Sequence, residues 1–106
     1  MKLIVAIVQD EDAGRLVSAL MDKGFGVTKL ATTGGFLRAG NTTLISGVED
    51  DKLQDALGVI EKICKSREQI TASTTPMGGV YVPYPIRVTV GGATVFVLEV
   101  SQFLKV

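Results

Sequence analysis

Residues 3–12, LIVAIVQDED, and residues 43–51, TLISGVEDD, carry one pattern twice, at an offset of 40 positions. In each, an apolar run ends at a valine and passes straight into acidic residues: Val8-Gln9-Asp10-Glu11 in the first, Val48-Glu49-Asp50-Asp51 in the second. Carboxylates placed there favour the positive end of a helix macrodipole, so each copy predicts a strand feeding a helix. Beyond the first, Ala13, Leu16, Val17, Leu20 and Met21 recur at helical spacing along one side, and Lys23 followed by Gly24 closes the helix. Beyond the second, Leu53, Leu57, Ile60 and Cys64 draw a matching stripe, with Leu57 and Ile60 answering Val17 and Leu20 at the same offset.

Each helix is followed or preceded by further strand signals. Residues 25–32 and Asn41–Val48 read as strands joined by a Gly-rich hairpin turn, and residues 93–100 as a last strand. Strand, helix, strand, twice over and joined by a hairpin, is the ferredoxin-like βαββαβ unit of the α+β class. At 106 residues the chain is a single domain. Its two helices can cover only one face of a four-stranded sheet. Yet Leu3, Val5 and Ile7 are as apolar as Ile4, Ala6 and Val8, and Phe96, Leu98 and Val100 as apolar as Val95 and Val97. The second face therefore needs another copy of the chain, which predicts an oligomer. Between the second helix and the last strand, 68–72 reads as a short strand and 86–90 as an edge strand. The stretch 73–85, STTPMGGVYVPYP, reads as a loop, with three prolines and two glycines.

The composition narrows the function. Eleven basic residues balance eleven acidic ones, so no global field attracts a nucleic acid polymer or a membrane surface. With no histidine, the commonest general base and the commonest zinc ligand are both missing. The single cysteine, Cys64, lies on the apolar helical stripe, reads as core, and with no disulfide framework points to a reducing cytoplasm. No run is long enough to span a bilayer. The acidic groups at 9–12 and 49–51 are accounted for by helix starts rather than by catalysis, and no nucleophile stands with a base. The chain does not read as an enzyme, and it calls for no metal or cofactor.

What chemistry there is concentrates in 28–47, TKLATTGGFLRAGNTTLISG. Gly34 and Gly35 let backbone amides approach a ligand closely, Phe36 and Leu37 put apolar surface on a turn, and Arg38, Asn41 and the threonines add charge, donors and acceptors. GGFLRAG is neither a Walker A loop nor a dinucleotide fingerprint, since no Gly-Lys-Ser/Thr follows, the glycine spacing differs and a strand comes next. The residues themselves admit two readings: a nucleotide-binding turn, or an ordinary hairpin turn whose Phe36 folds back on its own core.

The block TKLATTGGFLRAGNTT, the later TPMGG and YPI-V-V-GGATVFVL, and the opening IVAIVQD resemble the PII-like cyclic di-AMP receptor proteins of Gram-positive bacteria, over essentially the whole chain. The resemblance implies a PII-like homotrimer with cyclic di-AMP at each subunit interface, no cofactor, and a signalling role toward an unidentified downstream protein. It implies ligand contacts by Thr28, Gly35, Phe36, Leu37, Asn41, Gly47 and Phe96. Phe36 and Leu37 would meet a base, Thr28, Asn41 and the Gly47 backbone would hydrogen-bond adenine, and amides near Gly35 would meet phosphate. It further implies a short hairpin loop at about 33–40 and a larger mobile loop at about 66–91. Gly26 departs from the family, which carries a longer residue there, often arginine, and the stretch 79–83 is short. The alternative on the same architecture is a PII-type sensor of ATP, ADP or another nucleotide, although such chains have a much longer loop between their second and third strands.

Overall fold

The computed structural model describes residues 1–30, 40–77 and 80–106. The elements are β1 (Lys2–Gln9), α1 (Asp10–Asp22), β2 (Thr28–Leu30), β3 (Asn41–Val48), α2 (Leu53–Cys64, entered through a 3-10 turn at Asp50–Lys52), β4 (Arg67–Met77), β5 (Val80–Val90) and β6 (Ala93–Glu99). One sheet runs in the order β2-β3-β1-β6, with every neighbour antiparallel. Both helices pack on one face of it, giving the ferredoxin-like α+β arrangement that the repeat predicts. The buried set follows from the alternation of β1: Ile4, Ala6 and Val8 face Leu16 and Leu20 of α1 and Ala56, Ile60 and Cys64 of α2. Strand β3 begins and ends where expected. Strand β2 begins later than expected, at Thr28, with Phe25 and Val27 packed against the helical core; residues 31–32 of the expected strand lie outside the described residues.

The acidic turns do more than start helices. Gln9, at the N-cap of α1, makes no side-chain cap bond, and neither does Glu49 before the 3-10 turn. Asp50 pairs with Lys2 at 3.5 Å. Asp12 is fully buried and takes both guanidinium nitrogens of Arg67, at 2.9 and 3.3 Å, with Arg15 adding a bond at 3.0 Å. A capping account of residues 9–12 is thus incomplete: the carboxylate is a structural clamp between α1 and the chain that leaves α2.

The stretch 73–85, read from composition as a loop, is strand throughout its described part. From Arg67↔Val90 to Met77↔Val80, β4 and β5 pair in unbroken antiparallel register and form a sheet of their own. The prolines are compatible with it through their spacing. Pro85, Pro83 and Pro76 lie on the rungs Ala72↔Pro85, Thr74↔Pro83 and Pro76↔Tyr81, all on one alternate set. In a two-stranded ribbon alternate rungs point their amides outward, so one set can lose three N–H groups while the other keeps its ladder bonds. The hairpin extends the chain to 65 Å, with a radius of gyration of 17.9 Å against about 13 Å for a compact domain of this length.

The root of this arm is tightly built. Besides the Arg67–Asp12 pair, the Gly91 amide donates to Gln9 Oε1 at 2.7 Å, and the Gly92 amide donates to the Cys64 carbonyl. Gly91 has φ +84°, and a Cβ there would stand 2.6 Å from Arg67 Nη1 and 2.8 Å from the Lys65 carbonyl, so no other residue fits.

The Asp12 carboxyl is held below the usual carboxylate range, first by its hydrogen bonds from Arg67 and then by Arg15, against an opposing effect of burial. Its contribution to stability is present above the ordinary carboxylate pKa and is lost as pH falls through the lowered value. Asp12→Asn should therefore lower the melting temperature by about 5–10 °C at neutral pH. The gap from wild type should close as pH drops below about 4, which thermal melts across pH will read.

Candidate functional site

Cross-strand partners share a face of the sheet, so the register assigns each strand residue to the helical side or to the open side. One row on the open side runs Thr28, Ile45, Val5, Phe96; the next runs Leu30, Thr43, Ile7, Thr94; Gly47, Leu3 and Leu98 form a third, and Asn41 opposite Gln9 a fourth. Thr28, Asn41, Gly47 and Phe96, separated by up to most of the chain, thus lie on the one face that neither helix covers. Leu30, Phe96 and Leu98 on it are 40–47% exposed.

The face is not one compact pocket. Thr28 and Gly47 are diagonal neighbours on β2 and β3, about 7 Å apart. Phe96 stands three strand spacings from Thr28, about 14 Å across the sheet, and Asn41 lies about 20 Å along β3 from Gly47. Gly35, Phe36 and Leu37, with the rest of 31–39, lie outside the described residues. Beside Gly47 a cavity of about 410 Å³ opens at the sheet edge, lined by Lys23, Phe25, Gly26, Gly47, Glu49 and Lys52 among others. A Cβ on Gly26 would meet nothing within 4 Å, and on Gly47 only Met1 Sδ at 4.0 Å. Ser46 fastens the Gly26 carbonyl at 2.6 Å, so this open corner has a fixed backbone.

Two features escaped the sequence reading. Gln9 occupies the open face opposite Asn41, continuing the alternation of Leu3, Val5 and Ile7, and its side chain reaches Gly91. That alternation could have flagged it. The Asp12–Arg67 pair spans 55 positions and left no periodic trace. Cys64 is buried, and burial, reinforced by the negative charge of Asp12, pushes its thiol up to about 11, unsuited to a nucleophile. Among the described residues no group of three His, Cys, Asp or Glu comes together as metal ligands, and no helix is long and apolar enough to cross a membrane.

The full chain, residues 1–106, matches the model of a family described as cyclic-di-AMP receptor. The chain belongs to the cyclic-di-AMP receptor family. It is also similar to a crystal structure of a functionally unknown protein from Pediococcus pentosaceus, at 46% identity and a TM-score of 0.81, covering 99% of this chain and 96% of that one. Membership supports binding of the messenger and a signalling rather than catalytic part for the chain.

One polar group on the open face bears an energetic cost. Thr43, 6% exposed between Leu30 and Ile7, finds no hydrogen-bond partner for its hydroxyl among the described residues. Stranded buried hydroxyls cost about 1–3 kcal/mol. Thr43→Val, which keeps the shape and removes the hydroxyl, should raise the melting temperature of the free protein by a few degrees; a decrease in calorimetry would mean that the hydroxyl is satisfied.

Proposed function

We propose that the chain senses cyclic di-AMP as a homotrimer, holding the dinucleotide in the clefts between subunits and relaying its presence to a downstream protein by rearrangement of its loops and of the β4–β5 arm. The observation that carries this reading is the convergence of Thr28, Asn41, Gly47 and Phe96 on the uncovered sheet face, in a chain matched over its whole length by the receptor family.

The spread of these residues supports an assembly rather than a site within one chain. An adenine seated beside Thr28 and Gly47 is beyond the reach of the same chain's Phe96, which lies on the opposite edge of the sheet. A neighbouring copy can bring its own β6 edge to that place. Two unlike edges meeting from copy to copy make a heterologous contact, the kind that builds a ring where the rotation between copies closes. The same contact covers Leu3, Val5, Ile45 and Leu98, whose exposure on one chain is otherwise unfavourable. In this arrangement Thr28, Asn41 and the Gly47 backbone hydrogen-bond the adenines, Phe36 and Leu37 lie against a base, amides near Gly35 meet phosphate, and Phe96 contributes its ring from across the interface.

Isothermal titration with cyclic di-AMP, with cyclic di-GMP and ATP as controls, tests the reading. Saturable heat with cyclic di-AMP alone, near one ligand per chain, is expected; a response to ATP instead would move the chain to the PII-type nucleotide sensors. Phe36→Ala should weaken binding about 10–100-fold, the usual worth of one base–aromatic stack, with the melting temperature nearly unchanged.

Gly26 offers a gain-of-function counterpart. Its exposed position and ordinary backbone leave room for a long side chain. Gly26→Arg should tighten binding about tenfold by adding a charge-assisted hydrogen bond. Unchanged affinity would separate this corner from the ligand. Sedimentation velocity should give a trimer at micromolar concentration, and a stable, well-folded monomer would contradict the assembly.

A further inference from the structure

The first turn of α1 is fastened to two parts of the chain at once. On one side, the Asp10 amide donates to the Gly40 carbonyl at 2.8 Å, and the Thr42 hydroxyl donates to the Asp10 carboxylate. These bonds flank Asn41 and fix the start of β3, where the chain returns from the recognition turn. On the other side, Gln9 Oε1 accepts from the Gly91 amide and Asp12 holds Arg67. Arg67 and Gly91 are the two feet of the β4–β5 arm, since Arg67 pairs with Val90. Among the described residues β4 and β5 pair with no other strand, so the direction of the arm is set at these feet.

Gln9 belongs to both sides. Its backbone is opposite Asn41 on the last rung between β1 and β3, its side chain lies on the ligand-facing side of the sheet, and its carbonyl oxygen ends on Gly91. Gly91 in turn sits where no side chain fits, since a Cβ there would stand 2.6 Å from Arg67 Nη1 and 2.8 Å from the Lys65 carbonyl. A displacement of the Asn41 rung that turns Gln9 must either break the Gly91 bond or carry the foot of the arm with it.

We infer that Gln9 is a positioning residue that ties the state of the ligand face at Asn41 to the β4–β5 arm. The inference rests on the cyclic di-AMP reading of that face and adds the link by which occupancy reaches the part of the molecule that projects farthest. Gln9 here contacts no ligand; it acts through Gly91.

Hydrogen–deuterium exchange of the full-length protein, with and without saturating cyclic di-AMP, tests it. In wild type, peptides from 67–90 should change their exchange on ligand addition. Gln9→Leu and Gln9→Met, which fill similar space without an acceptor, should lose most of that ligand-dependent change, while Gln9→Glu, which keeps an oxygen for the Gly91 amide, should retain it. The readout is the response to ligand, so a merely looser arm, which shifts both traces together, does not imitate the loss. An arm indifferent to bound ligand in wild type, or a full response in both Gln9→Leu and Gln9→Met, overturns the inference. Absence of cyclic di-AMP binding to wild type in a parallel titration overturns the underlying ligand reading, and this link with it.

Discussion

A four-stranded sheet that is apolar on both faces, in a chain with helices enough for one, is the constraint on which the rest of this structure turns. The helical face closes the core through Ile4, Ala6, Val8, Leu16 and Ile60. The other face keeps Val5, Leu30, Phe96 and Leu98 at or near the surface, interleaved with Thr28, Asn41 and the bare backbone of Gly47. Apolar rows with a few donors and acceptors among them suit a purine, and they also suit a second copy of the chain. In the assembly proposed above the two uses coincide, because a ligand bound at the seam between copies would be covered by the surface that makes the assembly.

The polar residues where strands pass into helices give this sheet its connections. Asp10 holds the start of β3, Gln9 and Asp12 hold the feet of the arm, and the Cys64 carbonyl receives the Gly92 amide. Gln9, Asp10 and Asp12 fall within one helical turn, so the start of β3 and the feet of the arm share one base. Asp12, buried and charged, is tolerable there because Arg67 meets both of its oxygens and Arg15 adds a third bond; removing Arg67 leaves the buried carboxylate only partly compensated.

The fold was largely legible in the sequence because its signals are local and periodic. The repeated valine-to-acid transitions, the helical stripes and the two-faced strands all act over fewer than a dozen neighbours, and they led to the sheet and the helices. The β4–β5 arm was not legible, since three prolines in a dozen residues argue for a loop when counted, and for a ribbon only when their rungs are known. The candidate site was legible by resemblance at Thr28, Asn41, Gly47 and Phe96. Their common face emerges only from strand register, which no single strand reveals. Gln9 and the Asp12–Arg67 pair went unseen for the same reason, being contacts between distant segments with no period of their own.

The most direct test of the account is a crystal structure of the protein grown with cyclic di-AMP. The account predicts the dinucleotide on the helix-free face, between copies, with Thr28 and Gly47 from one chain and Phe96 from its neighbour. Ligand on the helical side of the sheet, or held wholly by one chain with the open face of β1 and β6 bare, would contradict it.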